Sequence, residues 1–319
     1  MPAIITVTFN PALDKSLSVS ELTPDKKIKC PLPVCEPGGG GLNVARAIKK
    51  LGGDAVAIYL AGGEAGSIIT KLLTDEGIKT VVVNTIQSTR ENLIVTDLAT
   101  SSQYLLDMPG ANVTEEEWKA CLEVIDTTQD VKYIIASGSL PSGVPIDIYA
   151  RIALLAKKKG ARLIVDTAGE PLKLAVQAGV FLIKPNIREL AALTGESELD
   201  LRSAPKAARQ IISNGHCDAV VVSMGPDGAL LVTEDVVMDI IPPALTVKST
   251  VGAGDSMVAG IVMHLMENND LIEAVKYGVA CGSAATVHYG TELCEKADVN
   301  NIYEAIQTND LNSLPEMSA

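Results

Sequence analysis

The chain has 319 residues, 47% of them hydrophobic but only 3% aromatic, and its 26 Lys and Arg against 39 Asp and Glu give a net charge of −13. So acidic a chain repels nucleic acids and anionic membranes, and neither is expected as a partner. No apolar run reaches the ~18 residues of a membrane span, no signal-peptide pattern opens the sequence, and the six cysteines form no C-x-x-C pair, which predicts a cytoplasmic protein with reduced thiols.

Predicted strands and helices alternate along most of the chain. The first half contains strands at 4–9 and 55–60, helices at 42–51 and 67–76, and a helix that starts at Thr114 with capping-box spacing to Glu117. The second half contains strands at 133–137, 163–166, 181–184, 219–223, 229–233 and 237–241, and helices at 147–159, after Pro171, at 188–194, 204–213, 255–266 and 271–287. This alternation predicts an α/β fold, with a doubly wound, mainly parallel sheet flanked by helices in one domain spanning 1–319. The tail after about residue 308 is predicted to fray.

Two segments, at about 14–34 and 90–107, break this alternation. They carry strand patterns such as 93–97 and 103–106 but no helices of their own, and the pattern at 80–83 is grouped with them. Together they predict a small, half-exposed sheet that projects from the main domain as a lid over the strand ends. Lys27, Lys29 and Arg90 lie on this lid, where each would by itself be an ordinary solvated charge.

The segment 249–255, which reads STVGAGD, stands directly before an apolar helical pattern. Glycines at 252 and 254 permit a tight turn whose N–H groups lie at the positive end of the helix, an arrangement typical of anion binding. Asp255 has two interpretations here. It caps the helix, or it accepts the proton of a hydroxyl while the amides hold a transferring phosphoryl group.

A second glycine-rich segment, 36–46, reads EPGGGGLNVAR. Four consecutive glycines cost backbone entropy, and a bare backbone permits close approach of a ligand. Asn43, on the first turn of the predicted helix, can hydrogen-bond a hydroxyl. The segment is not a Walker A loop, because no Lys-Ser/Thr follows it, and Asn at position 43 departs from the dinucleotide fingerprint.

The residues after the predicted strand at 181–184 have a third pattern. Asn186 and Glu189, which follow Lys184, lie on one side of a helix start. Two interpretations stay open: the pair forms a capping box, or Glu189 holds a magnesium ion through water.

Polar residues at the ends of several predicted strands indicate one shared site. Each has a local explanation when taken alone, such as a β-turn from Ser223 to Gly228. Their joint position says more, because carboxyl ends of parallel strands meet at the edge where open α/β sheets bind ligands. The residues expected at that edge are Asp14, Ser139, Lys184, Ser223 and Asp255.

Together these segments resemble the ribokinase-like PfkB family of carbohydrate kinases. The stretches 38–46 and 251–255 are similar to the two signatures of the family, and the likeness extends from about residue 6 to 306. The runs 36–48 and 89–93 are most similar to the branch that phosphorylates fructose 6-phosphate. The branches for fructose 1-phosphate and tagatose 6-phosphate usually carry Lys at position 40, where this chain has Gly.

The resemblance also implies roles for individual residues. Asp255 would be the catalytic base, beside an anion hole made of Gly252, Ala253 and Gly254. The sugar hydroxyls would contact Asp14, Gly38, Gly39 and Asn43, and the 6-phosphate would contact Lys27, Arg90, Ser139 and, from a neighbouring subunit, Lys29. Position 29 is Arg in that branch, and Lys gives up the bidentate geometry. Around ATP would lie Lys184, Asn186, Ser223, Gly225, Gly228, Ser249, Thr250, Val279, Gly282 and Ser283, with Mg²⁺ near Asn186 and Glu189.

The implied activity is the ATP- and magnesium-dependent phosphorylation of fructose 6-phosphate to fructose 1,6-bisphosphate in glycolysis, by a cytoplasmic homodimer joined through the lid sheets. Near alternatives are kinases for tagatose 6-phosphate or fructose 1-phosphate. A distant alternative is a non-catalytic sugar-phosphate sensor, which would have no need of a base at position 255.

Overall fold

The computed structural model describes residues 3–288, 290 and 292–311. Its strands, in chain order, are β1 (Ile4–Thr8), β2 (Ala12–Val19), β3 (Val34–Gly38), β4 (Val56–Ala61), β5 (Lys79–Asn84), β6 (Arg90–Asp97), β7 (Ser102–Leu106), β8 (Tyr133–Ser137), β9 (Arg162–Asp166), β10 (Val180–Ile183), β11 (Cys217–Ser223), β12 (Ala229–Val232), β13 (Val237–Ile241) and β14 (Gln307–Asp310).

The helices are α1 (Gly40–Lys50), α2 (Gly63–Asp75), α3 (Glu115–Thr127), α4 (Ile148–Lys159), α5 (Gly169–Ala178), α6 (Ile187–Thr194), α7 (Ala204–Ser213), α8 (Ala253–Asn268), α9 (Leu271–Thr286) and α10 (Lys296–Ala305). The predicted capping box of Thr114 and Glu117 opens α3. None of the helices in the described ranges combines the length and apolar composition of a membrane span.

The main sheet has the strand order β14-β13-β12-β11-β10-β9-β8-β1-β4-β5. Neighbours from β11 through β8 and β1 to β5 pair in parallel, while β12, β13 and β14 add an antiparallel edge. Strands β1 and β8 are buried at every position, because helices cover both faces of the sheet. The predicted doubly wound, mainly parallel α/β fold is confirmed.

Side chains of the central strands alternate between two cores. Ile4 packs with α1, α2 and α8–α10 on one face of the sheet, whereas Ile5 and Val7 pack with α3–α7 on the other. This alternation is the period of two that a strand imposes on its side chains. The helix α8 therefore lies against the same face as α1, which places the two glycine-rich segments next to each other.

A separate four-stranded sheet has the order β3-β2-β6-β7. Its register sets Asp14 of β2 opposite Glu36 of β3 on one side and Asn92 of β6 on the other. We call it the lid sheet. The prediction of a small separate sheet is confirmed, although its strands also include β3, which the sequence patterns did not indicate as a strand.

One local prediction was wrong. The strand predicted for the lid at 80–83 is β5, which pairs in parallel with β4 at the edge of the main sheet. The interval 296–310 contains α10 and β14, which the sequence patterns did not indicate. The tail was expected to fray after about residue 308, and its residues 312–319 lie outside the described residues.

Candidate active site

A cleft of about 710 Å³ opens at the carboxyl edge of the main sheet. The strands β8 and β9 end at this edge with Ser137 and Asp166, and Lys184 directly follows β10. Residues from the strand ends and from the starts of helices line the cleft, among them Gly40, Ser137, Ser139, Asp166, Glu189 and Asp255. The edge predicted from the sequence therefore faces a cavity large enough for a small-molecule ligand.

Asp255 lies in the first turn of α8. Gly252 caps this helix with φ of 75°, a left-handed conformation that favours glycine. The first amides of a helix have no partner within it, so they can bind an anion. The amide of Ala253 already donates to the carbonyl of Thr250 at 3.3 Å, which leaves those of Gly252 and Gly254 as the better donors of the predicted anion hole.

The loop before α8 is fixed by its own hydrogen bonds. The hydroxyl of Ser249 donates to the carbonyl of Gly290 at 2.7 Å and accepts from the amide of Val251 at 3.3 Å. Ser249 is buried, whereas Thr250 is exposed. Ser249 therefore shapes the turn that presents Asp255, and its hydroxyl is already engaged.

The Asp255 carboxylate is surrounded by polar groups of three other elements. Asn43 of α1 donates through Nδ2 to Asp255 Oδ2 at 3.0 Å. Burial and the negative charge of Asp166 together raise the pKa of Asp255 to about 7, against the lowering effect of the hydrogen bonds of Asn43 and Ser137 and of the charge of Lys184. A carboxylate whose pKa lies near neutrality is suited to general-base catalysis.

Lys184 supplies a cation beside Asp255. Its side chain is 8% exposed, and Nζ lies 3.1 Å from Asp166 Oδ1. Burial alone would lower the pKa of Lys184, but the carboxylates of Asp166, Asp255 and Glu189 raise it above the usual value. Lys184 is therefore a permanent cation at the cleft. The sequence patterns missed Asp166, whose only signal was its place at the end of a strand.

Asn186 and Glu189 form the capping box that was one of their two interpretations. Glu189 N donates to Asn186 Oδ1 at 2.9 Å, and Asn186 N donates to Glu189 Oε2 at 2.8 Å. Glu189 nevertheless lines the cleft together with Asp166. Magnesium in proteins is bound by one or two carboxylate oxygens, while water and phosphate supply its other ligands. The carboxylates at this edge thus fit Mg²⁺, and the capping box fixes the position of Glu189.

Asp14 and Gly38 lie against each other where the lid sheet meets α1. Asp14 lies within β2 of the lid sheet, not at the end of a strand of the main sheet as the sequence patterns predicted. A Cβ at Gly38 would stand 2.1 Å from Asp14 Oδ2, which is why no side chain fits there. Burial raises the pKa of Asp14, while the hydrogen bond from Asn92 and the charge of Arg90 lower it. Gly39 is the N-cap of α1, which places Asn43 one turn into the helix.

Arg46 is a buried residue of the glycine-rich segment whose role the sequence patterns missed. Its Nε donates to both carboxylate oxygens of Glu76 at 3.0 and 2.9 Å. Its other nitrogens donate to the Pro37 carbonyl at 3.1 Å and to Glu36 at 3.2 Å. Arg46 thereby ties β3 of the lid sheet to α1 and to the end of α2.

Arg90 and Ser139, two of the predicted phosphate ligands, are joined through Asn10. Asn10 Nδ2 donates to Ser139 Oγ at 2.9 Å, and the Asn10 carbonyl accepts from Arg90 Nη2 at 3.3 Å. Lys27 and Lys29 are exposed on the segment between β2 and β3. Among the described residues, no hydrogen bond or ion pair joins either lysine to Arg90.

The predicted nucleotide residues belong to two parts of the chain, the end of β11 with the turn after it, and α9. Ser223 ends β11, forms a bridge to Asn186 and donates its amide to the Pro185 carbonyl at 2.9 Å. The short turn of Gly225 and Gly228 follows it. The helix α9 carries Val279, Gly282 and Ser283. Val279 is 1% exposed and packs in the core, so its side chain points away from solvent.

The sequence model of the pfkB family of carbohydrate kinases matches residues 7–298 of this chain. The chain is 42% identical over 304 residues to the ATP-dependent 6-phosphofructokinase isozyme 2 of Escherichia coli (strain K12), covering 95% of this chain and 98% of that protein. It is 40% identical to the isozyme 2 of Mycobacterium tuberculosis (strain CDC 1551 / Oshkosh), covering 95% of this chain and 89% of the relative.

A similar structure is that of phosphofructokinase-2 from Escherichia coli in complex with fructose-6-phosphate. It superposes with a TM-score of 0.90 at 41% identity and covers 96% of this chain and 99% of the other.

Proposed function

Because the chain belongs to the pfkB family of carbohydrate kinases, we propose that it transfers the γ-phosphoryl group of ATP to the 1-hydroxyl of fructose 6-phosphate. The product is fructose 1,6-bisphosphate, and the reaction is a step of glycolysis in the cytoplasm. The observation that carries the proposal is the position of Asp255, which faces the cleft beside Lys184 and the first amides of α8. The names of the relatives at 40% identity or more support this choice of substrate.

In this mechanism Asp255 is the catalytic base. As the sugar O1 attacks the γ-phosphorus, the bond from phosphorus to the bridging oxygen of ADP breaks and the O1 proton passes to Asp255. Asn43 holds the carboxylate in place through its hydrogen bond of 3.0 Å. Gly252, Ala253 and Gly254 with Lys184 stabilise the negative charge of the transferred group. Mg²⁺, when bound near Glu189 and Asn186, would neutralise the negative charge of the nucleotide phosphates.

The sugar phosphate binds between the lid sheet and α1 in this proposal. Asp14, Gly38, Gly39 and Asn43 contact its hydroxyls, and the 6-phosphate contacts Arg90, Ser139 and Lys27. Lys27 and Lys29 are exposed on the lid sheet's connecting segment, so in this proposal a movement of the lid or a lysine from a second subunit completes the phosphate site.

A homodimer joined through the lid sheets meets that need. Large apolar side chains are exposed on this sheet, with Val34 at 62%, Leu105 at 55% and Leu106 at 47% exposure. Burial of such residues against a second copy is favourable, and it would bring a lysine of one subunit towards the phosphate site of the other. Sedimentation velocity of the purified protein tests this, because a monomer at micromolar concentration would contradict it.

ATP lies between the end of β11 and α9 in this proposal. In the proposal Lys184, Asn186, Ser223, Gly225, Gly228, Ser249, Thr250, Gly282 and Ser283 surround it, and Val279 supports α9 from the core. The closed cleft keeps water away from the γ-phosphate, which would otherwise be hydrolysed.

A substrate panel tests the proposed function. ADP formation from MgATP is measured with fructose 6-phosphate, fructose 1-phosphate, tagatose 6-phosphate and unphosphorylated fructose. We expect the highest kcat/KM with fructose 6-phosphate and a large loss with fructose, which lacks the anion that Arg90 binds. A higher kcat/KM with one of the other sugar phosphates would replace the proposed substrate by that one, and absence of ADP formation with all of them would contradict a kinase.

A further inference from the structure

The guanidinium of Arg90 is held in place by main-chain carbonyls. Nη1 donates to the carbonyl of Met108 at 3.0 Å and Nη2 donates to that of Asn10 at 3.3 Å. Met108 is itself fixed, because its amide donates to Asn92 Oδ1 at 3.1 Å. The side chain of Arg90 is only 10% exposed. Its orientation is therefore set by the backbone on two sides.

Arg90 also has a third partner, the carboxylate of Asp107. Asp107 directly follows β7 and pairs with Arg90 Nη1, which already donates to the Met108 carbonyl. Both hydrogens of Nη1 are therefore engaged. The buried Nε of Arg90 has no hydrogen-bond partner within the described chain. A phosphate that needs a hydrogen of Nη1 must displace one of the two acceptors.

Asp107 is the acceptor that can leave. Its side chain is 64% exposed, so its carboxylate can turn into water at little cost. The carbonyl of Met108 cannot move as easily, because the amide of the same residue is hydrogen-bonded to Asn92. A sugar phosphate carries up to two negative charges and three acceptor oxygens, so it outcompetes a single exposed carboxylate on the same guanidinium. The same carboxylate, when it remains close by, repels the phosphate.

We propose that Asp107 is an internal competitor of the substrate phosphate, which occupies Arg90 in the empty site and raises the KM for the phosphorylated sugar. This inference rests on the proposed function for the identity of the sugar phosphate. Asp107 is thus a specificity-determining residue, because only a ligand with enough negative charge displaces it from Arg90. A weakly charged ligand leaves the Asp107–Arg90 pair intact.

The test replaces Asp107 by Asn, which keeps the shape and one acceptor oxygen but removes the charge. We expect Asp107→Asn to lower the KM for fructose 6-phosphate by about two- to tenfold, since exposed ion pairs are individually weak. The kcat and the KM for ATP should stay within about twofold of the wild type, because Arg90 keeps its two carbonyl partners. A KM for the sugar phosphate that is raised, or unchanged, overturns the proposal, since Asp107 would then position Arg90 or leave it without competing.

Asp54→Asn is the matched control. The Asp54 carboxylate is 62% exposed and pairs with Lys49 at 3.0 Å, close to the start of β4 and hence at the opposite edge of the sheet. This variant loses the same charge from a similar environment, so a KM that falls equally in both variants would be a general charge effect and would also overturn the proposal.

Calorimetric titration with inorganic phosphate separates this inference from the proposed function. If fructose 6-phosphate is not phosphorylated, the substrate assignment fails, but Asp107→Asn should still bind inorganic phosphate about two- to tenfold more tightly than the wild type. Binding that is unchanged in Asp107→Asn but lost in Arg90→Ala would overturn the competition and retain Arg90 as the anion site.

Discussion

Replacing Asp255 by Asn removes a negative charge from the start of α8 and leaves the shape of the side chain almost unchanged. The proposed base is lost, so turnover should fall by ~10² to 10⁴ while ATP binding persists. The same change should make the protein more stable. Burial raises the pKa of Asp255 to about 7, which means that the folded protein disfavours the charge that the unfolded chain carries freely.

The size and sign of this stability change depend on pH. A carboxyl whose pKa rises from 3.8 to about 7 on folding destabilises the fold progressively as the pH rises between those values, because the folded state then binds more protons than the unfolded state. The shift of about 3 pKa units corresponds to about 4 kcal/mol at pH 8 and about 2 kcal/mol at pH 5.5. Asp255→Asn should recover these amounts, with the larger gain at the higher pH.

Urea denaturation at the two pH values and steady-state ADP formation measure the two effects on the same preparations. Asp54→Asn serves as the control, since its carboxylate is exposed and paired with Lys49, and it should bring neither the gain in stability nor the loss of turnover. Near-normal turnover in Asp255→Asn would refute the base. A loss of turnover together with a loss of stability at pH 8 would show that burial does not raise the pKa of Asp255, and the calculated stability gain would then be refuted.

Other perturbations report on the parts around this carboxylate. The kcat/KM of the wild type should rise with pH through about 7, because the base must be ionised. A kcat/KM that is constant between pH 5.5 and 8 would contradict a base with this pKa. Arg90→Ala should raise the KM for the sugar phosphate far more than that for ATP, and equal effects would remove Arg90 from the sugar site. Arg46→Ala should cost about 3–5 kcal/mol in urea denaturation because it leaves the acidic side chains of Glu36 and Glu76 without their buried partner, and a cost below about 1 kcal/mol would show that the network is not stabilising. Glu189→Gln should raise the Mg²⁺ concentration needed for half-maximal rate, whereas an unchanged Mg²⁺ dependence would exclude Glu189 from the metal.

The main sheet could be predicted from the sequence because its strands carry strong local signals. A strand such as β8 is buried at every position and therefore appears as a continuous aliphatic run. Edge strands lack that signal. Strand β5 lies at the edge and alternates between exposed and partly buried positions, with only Val83 buried, so it resembles a strand of a small separate sheet. Strand β14 is exposed throughout. Position in the sheet, not local composition, distinguishes these cases.

The candidate site was predictable where the chain needs special backbone geometry. Glycines around Asp255 and before Asn43 indicate tight turns that can bind an anion or a sugar. In the structure the two segments meet, and Asn43 donates a hydrogen bond to Asp255. Asp166, Asp107 and Arg46 could not be assigned, because a single charged residue has no pattern of its own. Their roles depend on partners brought from distant parts of the chain, such as Lys184 for Asp166.

Phosphorus-31 NMR of the reaction with MgATP and fructose 6-phosphate tests the central claim most directly, since it identifies the oxygen that receives the phosphoryl group. We predict equal growth of ADP and of a sugar bisphosphate with a new phosphomonoester resonance coupled to the protons on C1. Growth of inorganic phosphate in place of that resonance, or a new phosphoester on another carbon, would contradict transfer to the 1-hydroxyl.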